Sequence, residues 1–222
     1  MQSKKPFSLG INNRMRLLIF CPTARLEPEV SSAILNQKGI EYFDVMFTFD
    51  NPYKGVDVRA NIQFNYEKMR QTVLKMGYDK VWIVESDTIP PDDALQKLLE
   101  VDSPVVTGLY ALRHGEPVPN LKRPLGDRML SWDELRSVWG QTIEVAGGCM
   151  GCLLVDRSVL ENHSMWTEEN NYAPDGPLME YCRVNGFKQM ARLDVICGHK
   201  KPTGEIIWPD KVNGFIIEGA TQ

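Results

Sequence analysis

The sequence predicts an α/β fold with a mostly parallel central sheet and helices on both faces. Three observations carry that prediction. Short apolar runs alternate with segments of helical spacing through the first half of the chain. Each apolar run is too short for a helix and ends in turn-forming residues. Gly and Pro fall at the joints, where helices stop and start.

The elements follow in order. Residues 15–20, MRLLIF, read as a buried strand closed by Cys-Pro-Thr. Residues 27–39 read as a helix, with Pro28 in its first turn and Gly39 at its stop. Residues 42–50 form a second strand that ends at Asp50, in the turn-rich DNPYKG. Over 57–77 a helix places Ile62, Tyr66, Met69, Val73 and Met76 on one face, and Gly77 ends it. The third strand is KVWIVE. A helix over 90–100 opens with Pro and Asp, as first turns prefer, and 103–113 is a fourth strand.

The second half is less regular. Residues 114–136 are polar, rich in Pro and Gly, and read as an excursion from the fold. Residues 142–161 read as strand, glycine turn, strand and short helix. A helix over 175–187 closes at Gly186, and 191–200 is a strand that carries His199 at its end. The tail beyond shows one apolar patch and no clear element. The expected organisation is a flexible leader over 1–14, one domain over 15–200 and a tail over 201–222.

Composition narrows the function. The chain has 222 residues, 43% hydrophobic and 24% charged, which is ordinary for a globular domain. A net charge of -4 argues against a broad nucleic-acid or membrane surface. No apolar run approaches the ~20 residues of a membrane span. Five cysteines is an odd count without the density of a disulfide scaffold, so a reducing, cytoplasmic compartment is expected.

In open parallel sheets, ligands sit beyond the carboxyl ends of the strands. Three loops meet that condition: Cys21–Thr23, Asp50–Asn51 and Glu85–Asp87. The last is the most informative. VWIVESDTIPP places two acids, two residues apart, at the mouth of a buried strand. Along extended chain such side chains point the same way. Burying carboxylates costs several kcal/mol unless a cation or hydrogen bonds meet them. Hard divalent cations take such oxygen ligands, often only one or two from protein when phosphates supply the rest. An acid-x-acid triplet can equally open a turn and cap a helix.

The stretch VWIVESDTIPPDDALQKLLE resembles the DxD segment of GT-A fold glycosyltransferases, of the family-2-like kind. The resemblance spans about residues 15–200 and rests on the order of several short motifs. It implies a Rossmann-like GT-A fold, one catalytic domain over 15–200 with a nucleotide-binding half over 15–113 and an acceptor-binding half over 114–200, and a divalent metal, Mn2+ or Mg2+, that bridges the diphosphate of a nucleotide-sugar. It makes Asp87 the metal ligand, with Glu85 where the family has aspartate and Ser86 between them. His199 would complete the metal site. Asp175, eleven positions before Gly186, would be the base that deprotonates the acceptor, although Pro174 replaces the glutamate of the family's ED pair. Glu180 is a weaker candidate for that task. Pro22, Thr23, Asp50 and Arg59 match positions that hold base, ribose or diphosphate. Gly147, Gly148 and Gly151 match the glycine-rich acceptor loop.

The resemblance implies transfer of a sugar from a UDP- or GDP-sugar to the hydroxyl of a glycan, or of another acceptor such as a modified nucleic acid. Inversion follows if Asp175 is the base. Lys122, Arg123, Arg128 and Arg136 form a modest basic cluster that could meet a phosphate-bearing acceptor. Other functions remain open: a sugar-phosphate nucleotidyltransferase, an inactive nucleotide-binding relative, or a zinc protein built on Cys149 and Cys152 with Cys182, Cys197 or His199.

Overall fold

The computed structural model describes residues 15–23, 27–50, 52–53, 58–113, 115–124, 128–166 and 174–219. The expected leader over 1–14 and Asn51 lie outside them. The first half follows the expected alternation: β1 (Leu17–Pro22), α1 (Pro28–Leu35), β2 (Asp44–Thr48), α2 (Val58–Met76), β3 (Lys80–Val84), β4 (Thr88–Ile89), α3 (Ala94–Leu99) and β5 (Val105–Leu109). Then come β6 (Leu121–Lys122), α4 (Trp132–Arg136), β7 (Thr142–Glu144), β8 (Gly147–Gly148), β9 (Cys152–Asp156), α5 (Arg157–Leu160) and α6 (Asp175–Val184). The chain ends with β10 (Gln189–Ile196), β11 (Gly198–Lys200), β12 (Ile206–Asp210) and β13 (Gly214–Glu218).

The main sheet has seven strands in the order β2-β1-β3-β9-β5-β10-β7. β1 pairs in parallel with β2 and β3, and β5 with β10. β9 is antiparallel to both β3 and β5, and β7 is antiparallel to β10. All strands but β7 and β9 therefore run one way, so the sheet is mostly parallel, as expected. The antiparallel insertion of β9 was not anticipated. Its four buried residues look in sequence like those of any other core strand.

Alternation along the strands divides the core. Leu18 and Phe20 of β1, with Val81 and Ile83 of β3, pack against Tyr66, Met69 and Val73 of α2 and Leu178 and Cys182 of α6. Leu17, Ile19, Trp82 and Val84 face the other way, onto Val30 and Ile34 of α1 and Leu95 and Leu98 of α3. Helices thus cover both faces, and the inner strands are buried throughout. The stop of α2 is of the expected kind. Gly77 has φ +71, and its N–H and that of Tyr78 both donate to the Val73 carbonyl. Met76, expected on the buried face, is half exposed in that last turn.

Two expectations fail here. The strand expected over 191–200 is two strands in different sheets. β10 ends at Ile196, while β11 belongs to a four-stranded sheet ordered β13-β12-β11-β4. The tail beyond residue 200, expected to hold no clear element, supplies the β12–β13 hairpin of that second sheet. Asp210 Oδ1 accepts from the Val212 and Asn213 N–H groups and closes the turn. In the 114–136 excursion, Ser131 and Glu134 form a reciprocal capping box that starts α4.

Candidate functional site

The carboxyl ends of β1 and β3 lie side by side, with Phe20 opposite Ile83. Just beyond β3 the chain turns through Glu85, Ser86 and Asp87, and the Thr88 N–H donates to the Glu85 carbonyl at 2.9 Å. β4 then pairs antiparallel with β11, so that Thr88 faces His199. The Lys200 N–H donates to the Asp87 carbonyl at 2.8 Å. A strand from the far end of the chain is thereby laid along the turn that carries the two acids.

The structure brings Asp87 and His199 together. His199 Nε2 lies 3.7 Å from Asp87 Oδ1. His199 Nδ1 lies 2.7 Å from the Ala111 carbonyl oxygen, which can only accept, so Nδ1 carries the proton. In the neutral ring Nε2 presents a lone pair toward the carboxylate, whereas with a second proton the ring is the cation that lowers the Asp87 carboxyl. The buried imidazole also meets the Tyr110 ring edge-on, with centroids 5.3 Å apart. Asp87 Oδ2 is engaged by Arg113 Nη1, which also donates to the Lys200 carbonyl at 2.9 Å. Burial pushes the Asp87 carboxyl up, but His199 and Arg113 outweigh it and hold the group below its ordinary value.

Glu85 has different company. Tyr66, fully buried on α2, donates its hydroxyl to Glu85 Oε1 at 3.0 Å. The Glu85 N–H donates to the Gly151 carbonyl at 3.2 Å. Burial raises the Glu85 carboxyl to about 7, and the charges of Asp87 and Asp175 add to the rise. The Tyr66 hydrogen bond and His199 oppose it without cancelling it. Cys21, at the end of β1, is pushed up to about 12 by burial and by the charges of Glu85 and Asp87.

Asp175 opens α6, half-buried, and its Oδ1 accepts from the Gly176 N–H at 2.9 Å. Burial and the Asp175 charge push the Cys149 thiol far above the ordinary thiol value. The same charge is also felt at Glu85, Tyr66 and Tyr110. Asp175, Glu85 and Asp87 therefore share one acidic neighbourhood. Glu180 does not: it is exposed and paired with Arg183 at 2.5 Å.

The early loops flank this neighbourhood. Pro22 ends β1 opposite Thr48, and the Thr23 N–H donates to the Thr48 carbonyl at 3.1 Å. Asp50 pairs with Lys68 on α2, and its carbonyl accepts from Asn65 Nδ2 at 3.0 Å. Asn65 neighbours Tyr66, so α2 links the Asp50 loop to Glu85. Arg59 is exposed in the first turn of α2.

The three glycines are buried, and the protein's own side chains need their space. A Cβ at Gly147 would collide with Met179. At Gly148 it would lie 2.6 Å from Thr107, and at Gly151 2.6 Å from Tyr110. The Tyr110 hydroxyl accepts from the Gly151 N–H at 2.9 Å. Close packing accounts for these glycines without an acceptor.

The basic cluster dissolves in part: Arg123 pairs with Glu134 and Arg136 with Asp133. The zinc grouping does not assemble either. Cys152 and Cys197 are buried in the core, while Cys149 feels the charge of Asp175. Among the described residues, no group of three or more His, Cys, Asp or Glu is placed to hold a metal ion. Asp87 and His199 make a pair. Its donor set of one carboxylate oxygen and one imidazole nitrogen, with the other ring N–H fixed on a carbonyl, fits a divalent metal whose remaining ligands come from phosphate and water. Among the described residues no helix is long and apolar enough to cross a membrane.

Sequence reasoning missed Arg113, Tyr110 and Cys149 as members of this site. Arg113 ends the strand expected over 103–113, but nothing local marks its reach to Asp87.

No protein-family model matches the sequence, and no curated protein matches it. Solved structures do. A197 from STIV superposes with a TM-score of 0.62 at 17% identity, covering 93% of this chain and 96% of that one. This chain therefore shares the A197 fold. A glycosyltransferase involved in glycosylation of the major capsid of PBCV-1 matches with a TM-score of 0.43 at 12% identity, over 75% of this chain and 76% of its own. A CMP:2-keto-3-deoxy-manno-octonic acid synthetase complexed with CTP matches with a TM-score of 0.45 at 14% identity, over 79% of this chain and 88% of its own.

Proposed function

We propose that the chain is a metal-dependent glycosyltransferase that moves a sugar from a nucleotide-diphosphate sugar to an acceptor hydroxyl. One observation carries this reading. Asp87 Oδ1 and His199 Nε2 face each other at 3.7 Å, with the opposite ring nitrogen held by the Ala111 carbonyl. A lone pair aimed at a carboxylate is unfavourable unless a proton or a cation lies between them. Asp87 and His199 would hold Mn2+ or Mg2+, which when bound neutralises charge on a diphosphate leaving group.

The chain's own residues supply the rest. Pro22, Thr23, Asp50 and Arg59 border the base and ribose. Glu85, raised to about 7, is partly protonated at neutral pH and can donate a hydrogen bond as well as accept one. Asp175 takes the proton of the acceptor hydroxyl as its oxygen bonds to the anomeric carbon from the face opposite the departing nucleoside diphosphate, which gives inversion.

The test is thermal unfolding with UDP and with GDP, each with and without Mn2+, on the parent and on Asp87→Ala. One nucleotide should stabilise the parent only with metal, by about 3 kcal/mol at a hundred times its Kd. Asp87→Ala should lose that stabilisation. A metal-independent shift, equal in both proteins, would sink the metal reading and favour a nucleotide binder without transfer. No shift at all would remove the donor site.

A further inference from the structure

The ion pair between Arg113 and Asp87 is a feature of the site that this function does not use. Asp87 has two oxygens. Oδ1 faces His199, and Oδ2 is already engaged by a guanidinium that also grips the Lys200 carbonyl. The Arg113 side chain is 26% exposed, and its remaining N–H groups find no hydrogen-bond partner among the described residues. We propose that Arg113 is a donor-binding residue that competes with the metal for Asp87 and transfers to the diphosphate when a donor binds. The proposal rests on the metal reading of Asp87 and His199.

The physical case is one of charge. A guanidinium stays protonated at any working pH. A divalent ion held by the same carboxylate would lie within a few ångströms of it, and like charges repel strongly in a half-buried site. The empty protein therefore binds metal weakly. A diphosphate brings oxygens that complete the metal's shell. It also offers acceptors that suit the planar fork of Arg113 better than the one carboxylate oxygen and one carbonyl that its Nη1 now meets. By linkage, each of metal and diphosphate then raises the affinity for the other. The device guards against free metal settling in the empty site.

The experiment titrates Mn2+ into the full chain without nucleotide, following the free-ion signal by electron paramagnetic resonance. The parent is compared with Arg113→Gln, Arg113→Lys and the double variant Arg113→Gln/Asp87→Asn. UDP and GDP are then titrated calorimetrically at saturating Mn2+. Arg113→Gln should bind Mn2+ at least ~10-fold tighter than the parent and bind the nucleotide at least ~10-fold more weakly. Arg113→Lys keeps the charge without the fork. It should stay within about threefold of the parent for Mn2+ and still lose nucleotide affinity. The double variant should bind no Mn2+.

Equal Mn2+ affinity in the parent and Arg113→Gln would overturn the competition and leave the metal site standing. Tighter Mn2+ with unchanged nucleotide affinity would overturn the transfer to diphosphate. Absence of Mn2+ binding in both would bring down the metal site itself. If Arg113→Gln fails to fold, parent-like nucleotide affinity in Arg113→Lys would overturn the role of the fork.

Discussion

Glu85 and Asp87 lie two residues apart on one turn, yet their surroundings are opposite. Asp87 sits between a guanidinium and an imidazole, and these hold its carboxyl below the ordinary value despite burial. Glu85 meets a tyrosine hydroxyl and two neighbouring acids, and burial carries it up to about 7. The difference teaches that an acid-x-acid spacing does not assign charge. Elements far away in sequence do: α2 supplies Tyr66, the segment after β5 supplies Arg113, and β11 supplies His199.

The two acids should therefore pull stability in opposite directions with pH. The unfolded Glu85 carboxyl titrates near 4.5 and the folded one near 7. The folded protein keeps a proton there that the unfolded chain has released. Its contribution is complete below 4.5 and is lost as pH rises through 7. Asp87 behaves the other way. Its folded value is depressed, so its contribution is present above the ordinary aspartate range and is lost on acidification.

The largest effect expected from breaking this contrast is that of Glu85→Gln, which mimics the protonated form. Relative to the parent, its stability should improve by about 2–3 kcal/mol between pH 5 and pH 8. Urea unfolding at both pH values checks it, and a constant difference would mean that Glu85 titrates normally. Tyr66→Phe should come next. It removes the hydroxyl that donates to the Glu85 carboxylate, costing about 1–2 kcal/mol at pH 8 and less at pH 5, with the Glu85 pKa moving further up by NMR titration. Asp50→Ala is the control. Its pair with Lys68 is 46% exposed on each side, so stability should change by less than about 0.5 kcal/mol at either pH. A larger loss would show that the Asp50 loop is not merely a solvated edge.

Much of the fold was legible. β1, β2, β3 and β5 fall within two residues of the expected strands or inside them, because each is a short apolar run with turn residues at its ends. Pro28 in the first turn of α1 and Gly77 after α2 marked real boundaries. The β12–β13 hairpin carries a local signal of its own. Asp210 and the Asn213–Gly214 pair separate two apolar runs, a common mark of a hairpin turn. The break at Cys197 had none. Gly198 interrupts what reads as one strand, and only the packing of Ile206 and Trp208 against it, 2.8 Å from where a Cβ would stand, shows why.

The site divides in the same way. That Glu85 and Asp87 leave a core strand at the binding end of a parallel sheet is written in residues 81–87, since apolar runs and acidic breaks are local properties. The sequence by itself determined the alternation of elements, the sheet's general direction and the turn that carries the acids. Only the tertiary structure decided which acid keeps its charge. That depends on Tyr66, Arg113 and His199, which lie 19, 26 and 112 residues from their partners and meet them through helix packing and strand pairing. Electrostatic interaction falls with distance in space, and separation along the chain does not enter it.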